Sequence, residues 1–173
     1  MILDKQRGRE IWDWVYDVLD FTPYGGVDFV PFHIPFVHSI YDISQMLPEH
    51  MEKMDDLILS AFLNCTDQGE RLYALDWQHS SFLFDPRADV EMEDIYVEDE
   101  RYTGGGYYAY FPPFYPDGDY YFFLDEKLRF GYLSHPWRRE VWIFGKALVE
   151  EFERIDRQLG WLKRSGADWR ANG

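Results

Sequence analysis

The chain has 173 residues, long enough for one domain with a real hydrophobic core. Hydrophobic residues make up 46% and aromatic residues 20%, a globular composition that excludes a disordered chain. The formal net charge of −15 argues against nucleic acid and anionic membrane as partners, and suits either a basic protein partner or simple solubility.

Residues 4–19 read as a helix, because Ile11, Trp12, Val15, Val18 and Leu19 recur at helical spacing. Pro23, Gly25 and Gly26 end it. Residues 27–35 are extended and broken by proline, at best an edge strand, and Phe36 to Ile43 is a better strand. Residues 44–64 carry the clearest helix, with Pro48 suited to its first turn and a stripe of Met51, Met54, Ile58, Ala61, Phe62 and Cys65. Arg71 to Trp77 and Phe82 to Phe84 then read as two strands joined by a turn at residues 78–81.

Residues 85–106 change character. Eight acids (Asp85, Asp89, Glu91, Glu93, Asp94, Glu98, Asp99 and Glu100) stand there against Arg87, Arg101 and two interspersed tyrosines. Such a run is ordinarily a solvated loop. It is also far longer than a hairpin connection, and long loops in compact domains are usually functional or disordered. Thr103 to Gly106 lacks the lysine and the strand-to-helix setting of a phosphate loop and reads as a hinge. Tyr107 to Phe111 is a further strand candidate.

Residues 116–145 organise the chain. Asp119–Leu124, Leu128–Leu133 and Arg139–Phe144 read as three successive strands, with the polar break at residues 125–127 too short for anything but a hairpin loop. Ser134-His135-Pro136 is expected to interrupt the second from the third, since proline cannot donate to a ladder. A helix follows to Leu159, with Leu148, Phe152, Ile155 and Leu159 on one face and Gly160 as its stop. Residues 161–173 are basic and expected to fray unless Trp161 or Trp169 docks. Strands joined by short loops imply antiparallel pairing. The expected fold is therefore α+β, a single domain over residues 1–173 with a mainly antiparallel sheet, helices packed on one face and an acidic insert at about 85–106. Its inner face is expected to include Tyr121, Phe123, Phe130, Tyr132, Val141 and Ile143, under Phe152 and Ile155.

Cys65 stands alone, so no internal disulfide forms, which fits a reducing cytoplasm. The first residues carry charges where a signal peptide needs an apolar core, and no apolar run reaches membrane-spanning length. The expectation is a soluble cytoplasmic protein.

Two constellations bear on chemistry. Asp76-Trp77-Gln78-His79 and Ser134-His135-Pro136-Trp137 each place a histidine at a strand end, and together could supply an acid/base pair or part of a metal site. No HExxH, cysteine pair or GxSxG accompanies them, and polar residues beside turns commonly cap backbone groups, so the pattern favours a structural role. Asp117-Gly118-Asp119 is a turn signal, not a calcium loop, because the ligand spacing fails after it. The reading assigns no catalytic residue, metal ligand or cofactor.

Leu75-Asp-Trp-Gln-His79, Pro116-Asp-Gly-Asp-Tyr-Tyr121, Phe130-Gly131, His135-Pro136-Trp137 and Phe144-Gly145, with Ser39–Ser44 upstream, resemble the signature of a bacterial family known only as domain of unknown function 2716. That resemblance implies membership but no agreed chemistry. Gly118-Asp-Tyr-Tyr-Phe-Phe-Leu-Asp125 and Val149-Glu-Glu-Phe152 are also similar to the SUKH superfamily of bacterial toxin-immunity proteins. This second similarity implies an α+β fold and a cytoplasmic, non-enzymatic inhibitor of a toxin.

The expected function is thus an immunity- or antitoxin-type binding protein for a basic toxin. Glu91, Glu93, Asp94, Glu98, Asp99 and Glu100 would steer the partner, while Tyr96 and Tyr102, with Tyr107 and Tyr108, would anchor it. The alternatives are a small hydrolase-like enzyme using His79 and His135, or an acidic scaffold.

Overall fold

In the computed structural model, which describes residues 1–23, 29–88 and 95–164, the central strands are apolar at successive positions, not at every second one. The run is buried throughout from Glu140 to Phe144, and likewise from Gly131 to His135. Successive side chains of a strand point to opposite faces, so such runs require a sheet covered on both sides. The described elements run in the order α1 (Lys5–Val18), β1 (His38–Asp42), α2 (Pro48–Cys65), β2 (Leu72–Asp76), β3 (Phe82–Phe84), β4 (Ile95–Glu98), β5 (Gly106–Ala109), β6 (Tyr121–Asp125), β7 (Gly131–His135), β8 (Glu140–Phe144), α3 (Lys146–Leu159) and β9 (Leu162–Arg164).

Seven strands form one sheet in the order β3-β2-β6-β7-β8-β1-β9, with every neighbouring pair antiparallel. This is the expected α+β fold. The layering departs from expectation in one respect. Phe123, Tyr132, Val141 and Ile143 face α2 and α3, meeting Met54, Ile58, Phe62, Leu148 and Phe152. Their neighbours Phe122, Leu124, Leu133, Trp142 and Phe144 face the other way and are covered by Ile11 and Val15 of α1 and by Leu19 at its C-cap, with Phe21 and Phe32. The helices therefore lie on both faces, because the intervening residues are as apolar as the predicted core. That core agrees: Phe123, Phe130, Tyr132, Val141, Ile143 and Phe152 are buried together, with Tyr121 and Ile155 packed at the edge.

Local chemistry sets the ends. Asp4 caps α1 by accepting from the Arg7 N–H at 2.8 Å. Gly160 closes α3 in the left-handed conformation at φ 65°, and a side chain there would run into the His50 ring. β7 extends past its expected end through Ser134 and His135, because the Pro136 constraint falls on the following turn. Ser134 pairs with Tyr121 and its hydroxyl donates to the Tyr121 carbonyl at 2.8 Å. After α3, Trp161 docks in the core beside Tyr41, Tyr132 and Phe152, and Leu162–Arg164 adds an edge strand to β1. The chain does not fray there; Trp169 lies outside the described residues.

The second half of the acidic segment is also structured. β4 and β5 pair as a hairpin, Tyr96 opposite Tyr108 and Val97 opposite Tyr107. The expected glycine hinge is its turn: the Gly105 carbonyl accepts from the Asp99 N–H at 2.9 Å, and the Tyr96 hydroxyl donates to the Gly104 carbonyl at 3.0 Å. A side chain at position 106 would strike the Val97 carbonyl and the Tyr96 ring, which fixes glycine there. No described helix is long and apolar enough to cross a membrane.

Candidate functional site

The hairpin packs beside the β2–β3 turn and forms one wall of a half-open cavity of about 550 Å³. Tyr102, Tyr107, Tyr108, Tyr110 and Tyr121 supply most of its wall, and Asp76, His79 and Asp117 its polar groups. A volume of this size, apolar with a few convergent polar groups, is typical of a small-ligand site.

Its floor is built by the β2–β6 pairing. Asp76 ends β2 opposite Tyr121, the first residue of β6, so Asp119 is delivered beside it from the preceding turn. Asp76 shapes its own turn: one carboxylate oxygen accepts from the backbone N–H groups of Gln78 and His79 at 3.1 and 3.2 Å. That turn swings the His79 ring back until Nδ1 lies 3.1 Å from Asp76 Oδ1 and 4.0 Å from Asp119 Oδ2. One ligand atom from each of Asp76, His79 and Asp119 lies within 4.8 Å of the others. Both aspartates are buried, at 6% and 8% exposure. Burial raises the Asp119 pKa to about 6, and the adjacent Asp76 charge adds to it, with His79 acting in the opposite sense. The Tyr121 phenol is pushed up to about 12 by burial and the same two carboxylates. The Tyr107 hydroxyl is fixed to Ser80 Oγ at 2.8 Å, which holds the hairpin against the β2–β3 turn.

His135 does not join this group. By the alternation along β7 it lies on the α1 face with Leu133, packed against the rings of Tyr120 and Trp137. Its Nδ1 accepts from the Arg138 N–H at 3.3 Å, and burial, reinforced by the Arg138 charge, pushes its pKa down to about 4. The ring is a neutral part of the packing, as expected for a structural histidine, whereas His79 opens onto a cavity.

Of the residues expected to bind a partner, Glu91, Glu93 and Asp94 lie outside the described residues. Tyr96, Glu98, Glu100 and Tyr102 are exposed on the hairpin and its turn. Asp99 is engaged within the turn, accepting from the Arg101 backbone and guanidinium at 3.0 Å, which lowers its pKa to about 2. Tyr108 and Tyr110 extend the aromatic surface, at 53% and 71% exposure. In the sequence alone Asp119 reads as a turn residue. Only the register of β2 against β6 reveals its meeting with Asp76, and no local spacing carries that information.

The sequence profile of a family described as "Protein of unknown function (DUF2716)" matches residues 2–149. The chain is similar to "Uncharacterized protein YxiI" of Bacillus subtilis (strain 168), 26% identical over 163 residues that cover 87% of this chain and 90% of that one. No solved structure matches the chain. Neither description names an activity. The segments that bring the cavity floor together, Asp76–His79 and Asp117–Tyr121, fall inside the matched span, as do the whole sheet up to β8 and the start of α3. With most of its length matched, the chain belongs to the DUF2716 family.

Proposed function

We propose that the protein is a non-enzymatic binding protein of the immunity or antitoxin kind, which acts in the cytoplasm by engaging a basic toxin through the β4–β5 hairpin. The observation that carries this reading is the exposed tyrosine set on an acidic hairpin. Tyr96, Tyr102, Tyr108 and Tyr110 are all open to solvent beside Glu98 and Glu100. Tyrosine gives large contact area at low entropic cost and is enriched at binding hot spots. Carboxylates around such anchors speed capture of a positively charged partner. The net charge of −15 extends the same field over the molecule.

The test starts from the product of the adjacent gene, captured on the immobilised protein. Support requires that this product be basic, that it arrest growth when expressed alone, and that co-expression of the wild-type chain restore growth. Glu98→Lys with Glu100→Lys should slow association and weaken its dependence on salt, while Tyr108→Ala should speed dissociation. Asp99 is left intact because it ties the turn. Equal rates for wild type and both variants would remove the hairpin from the interface.

A second reading, a small hydrolase-like enzyme, is favoured by one observation: a carboxyl raised to about 6 lies beside a histidine in a cavity. It would use Asp119 and His79, with His135 taking no part. Hydrolysis of ester or phosphoester probes that is abolished by His79→Ala would establish it.

A further inference from the structure

Four acids are buried in the described core: Asp76, Asp119, Asp125 and Glu140. Two of them are neutralised by arginine. Asp125 is paired with Arg129 at 2.6 Å, and Glu140 with Arg138 and Arg164 at 2.8 Å each. Asp76 and Asp119 have neither lysine nor arginine as an ion-pair partner among the described residues; each lies against the His79 ring, and the two carboxyl groups lie against each other. A buried carboxylate keeps its charge when it is paired with a cation or coordinates a metal, and otherwise tends to take up a proton. This fold supplies arginine at two of its four sites and withholds it at the Asp76–Asp119 pair, of which Asp76 lines the cavity together with His79.

From that contrast, and from the convergence of the three side chains, we propose that Asp76, His79 and Asp119 form a binding site for a divalent transition-type cation, such as Zn²⁺ or Mn²⁺, at the floor of the tyrosine-lined cavity. The donors suit such an ion: imidazole nitrogen with two carboxylates is a set that zinc and manganese accept. The spacing suits it as well. A tetrahedral ion with bonds of about 2.0–2.1 Å holds its ligand atoms about 3.3–3.4 Å apart. The His79 nitrogen lies 3.1 Å from Asp76 and 4.0 Å from Asp119, on either side of that value. Supporting contacts are in place: the Asp76 oxygen nearest the ring is held by two backbone N–H groups, and an Asp119 oxygen accepts from the Tyr120 N–H at 2.7 Å. Three protein ligands leave a coordination position open toward the cavity, where a small ligand or a partner's side chain would complete the shell. The site goes beyond the binding function proposed above and stands or falls separately from it.

The experiment is titration of chelator-treated full-length protein with Zn²⁺ and with Mn²⁺, followed by calorimetry and, for Mn²⁺, by electron paramagnetic resonance. One equivalent is expected to bind. Asp119→Asn, which retains an acceptor for Tyr120, and His79→Ala should each weaken binding by at least about tenfold. His33→Ala, a change to an exposed histidine paired with exposed Asp20, should leave it unchanged. Near-ultraviolet circular dichroism on each variant separates loss of a ligand from loss of the fold. The proposal is overturned if neither ion binds stoichiometrically, or if folded Asp119→Asn and His79→Ala bind as the wild type does. It is equally overturned if His33→Ala weakens binding as much as they do. Protection from thermal unfolding by arginine amide, with no protection by either ion, would also overturn it, assigning the carboxylates to an organic cation held against the tyrosine rings.

Discussion

The seven-stranded sheet and the β4–β5 hairpin are made from similar residues, tyrosines and branched aliphatics, yet they use them in opposite ways. In the sheet, Tyr41 and Tyr132 are wholly enclosed, and the arginine-paired acids Asp125 and Glu140 are 1% exposed. In the hairpin, Val97 and Tyr107 turn inward, while Tyr96 and Tyr108 meet edge to face, ring centres 5.3 Å apart, on the outside. The sheet has helices on both sides to receive its apolar groups. The hairpin has the core beneath and solvent above. Stability should therefore reside almost wholly in the sheet, and the hairpin is free to carry recognition.

The largest effects that would break this division lie in the two cores. Phe152→Ala, on the inner face of α3, and Phe122→Ala, beneath α1, should each cost about 3–5 kcal/mol in chemical denaturation, since both rings are completely buried. A small loss for Phe122 alone would mean that α1 is a loose cover and that the sheet has one working core, not two. The next effect depends on pH. The His135 pKa is about 4 in the folded protein against about 6.5 unfolded, so the unfolded chain takes up the proton first. The associated stability is fully present above pH about 6.5 and is lost as pH falls through about 4, by up to about 3 kcal/mol. His135→Gln should flatten that part of the profile measured by urea unfolding at stepped pH. An unchanged slope would assign acid sensitivity to other groups. The smallest effect belongs to the hairpin. Glu98→Lys with Glu100→Lys should alter unfolding free energy by less than about 0.5 kcal/mol, because both side chains are exposed. A larger loss would show that the hairpin is part of the folding unit and not an appendage to it.

The fold was largely legible because it follows periodicity. The α3 helix, β3 and the alternation from Phe123 to Ile143 stand where the apolar pattern places them. What escaped has a common physical cause. The stripe of Ile11, Val15 and Leu19 states that α1 has an apolar face, but not which side of the sheet it covers. The sign of two-sided burial was the uninterrupted run Val141-Trp-Ile-Phe144, which resembles a single strong strand when read alone. β4 was hidden by its acidic neighbours, although Ile95-Tyr-Val97 is a good strand sequence by itself. Asp76 and His79 were visible as a local pair at a turn. Asp119 was visible only as another turn, and its place beside them depends on a pairing between distant strands. Sites assembled across a ladder are thus the least accessible to local reading.

The position of β1 bears on the order in which the molecule can form. Although it is the first strand described, its ladder partners among the described residues are β8 and β9, the last two strands described. The meander β6-β7-β8 can close through short turns as soon as it is made, whereas β1 must wait with its backbone unpaired until that meander exists. During synthesis α1, β1 and α2 therefore emerge with Tyr41, Ile43, Met54 and Phe62 uncovered, and the sheet that shelters them arrives near the end. Completion of β8 and α3 is the step that commits the chain. A truncation before Phe144 should leave not a smaller version of this domain but an aggregation-prone chain with an unfilled slot where β1 belongs.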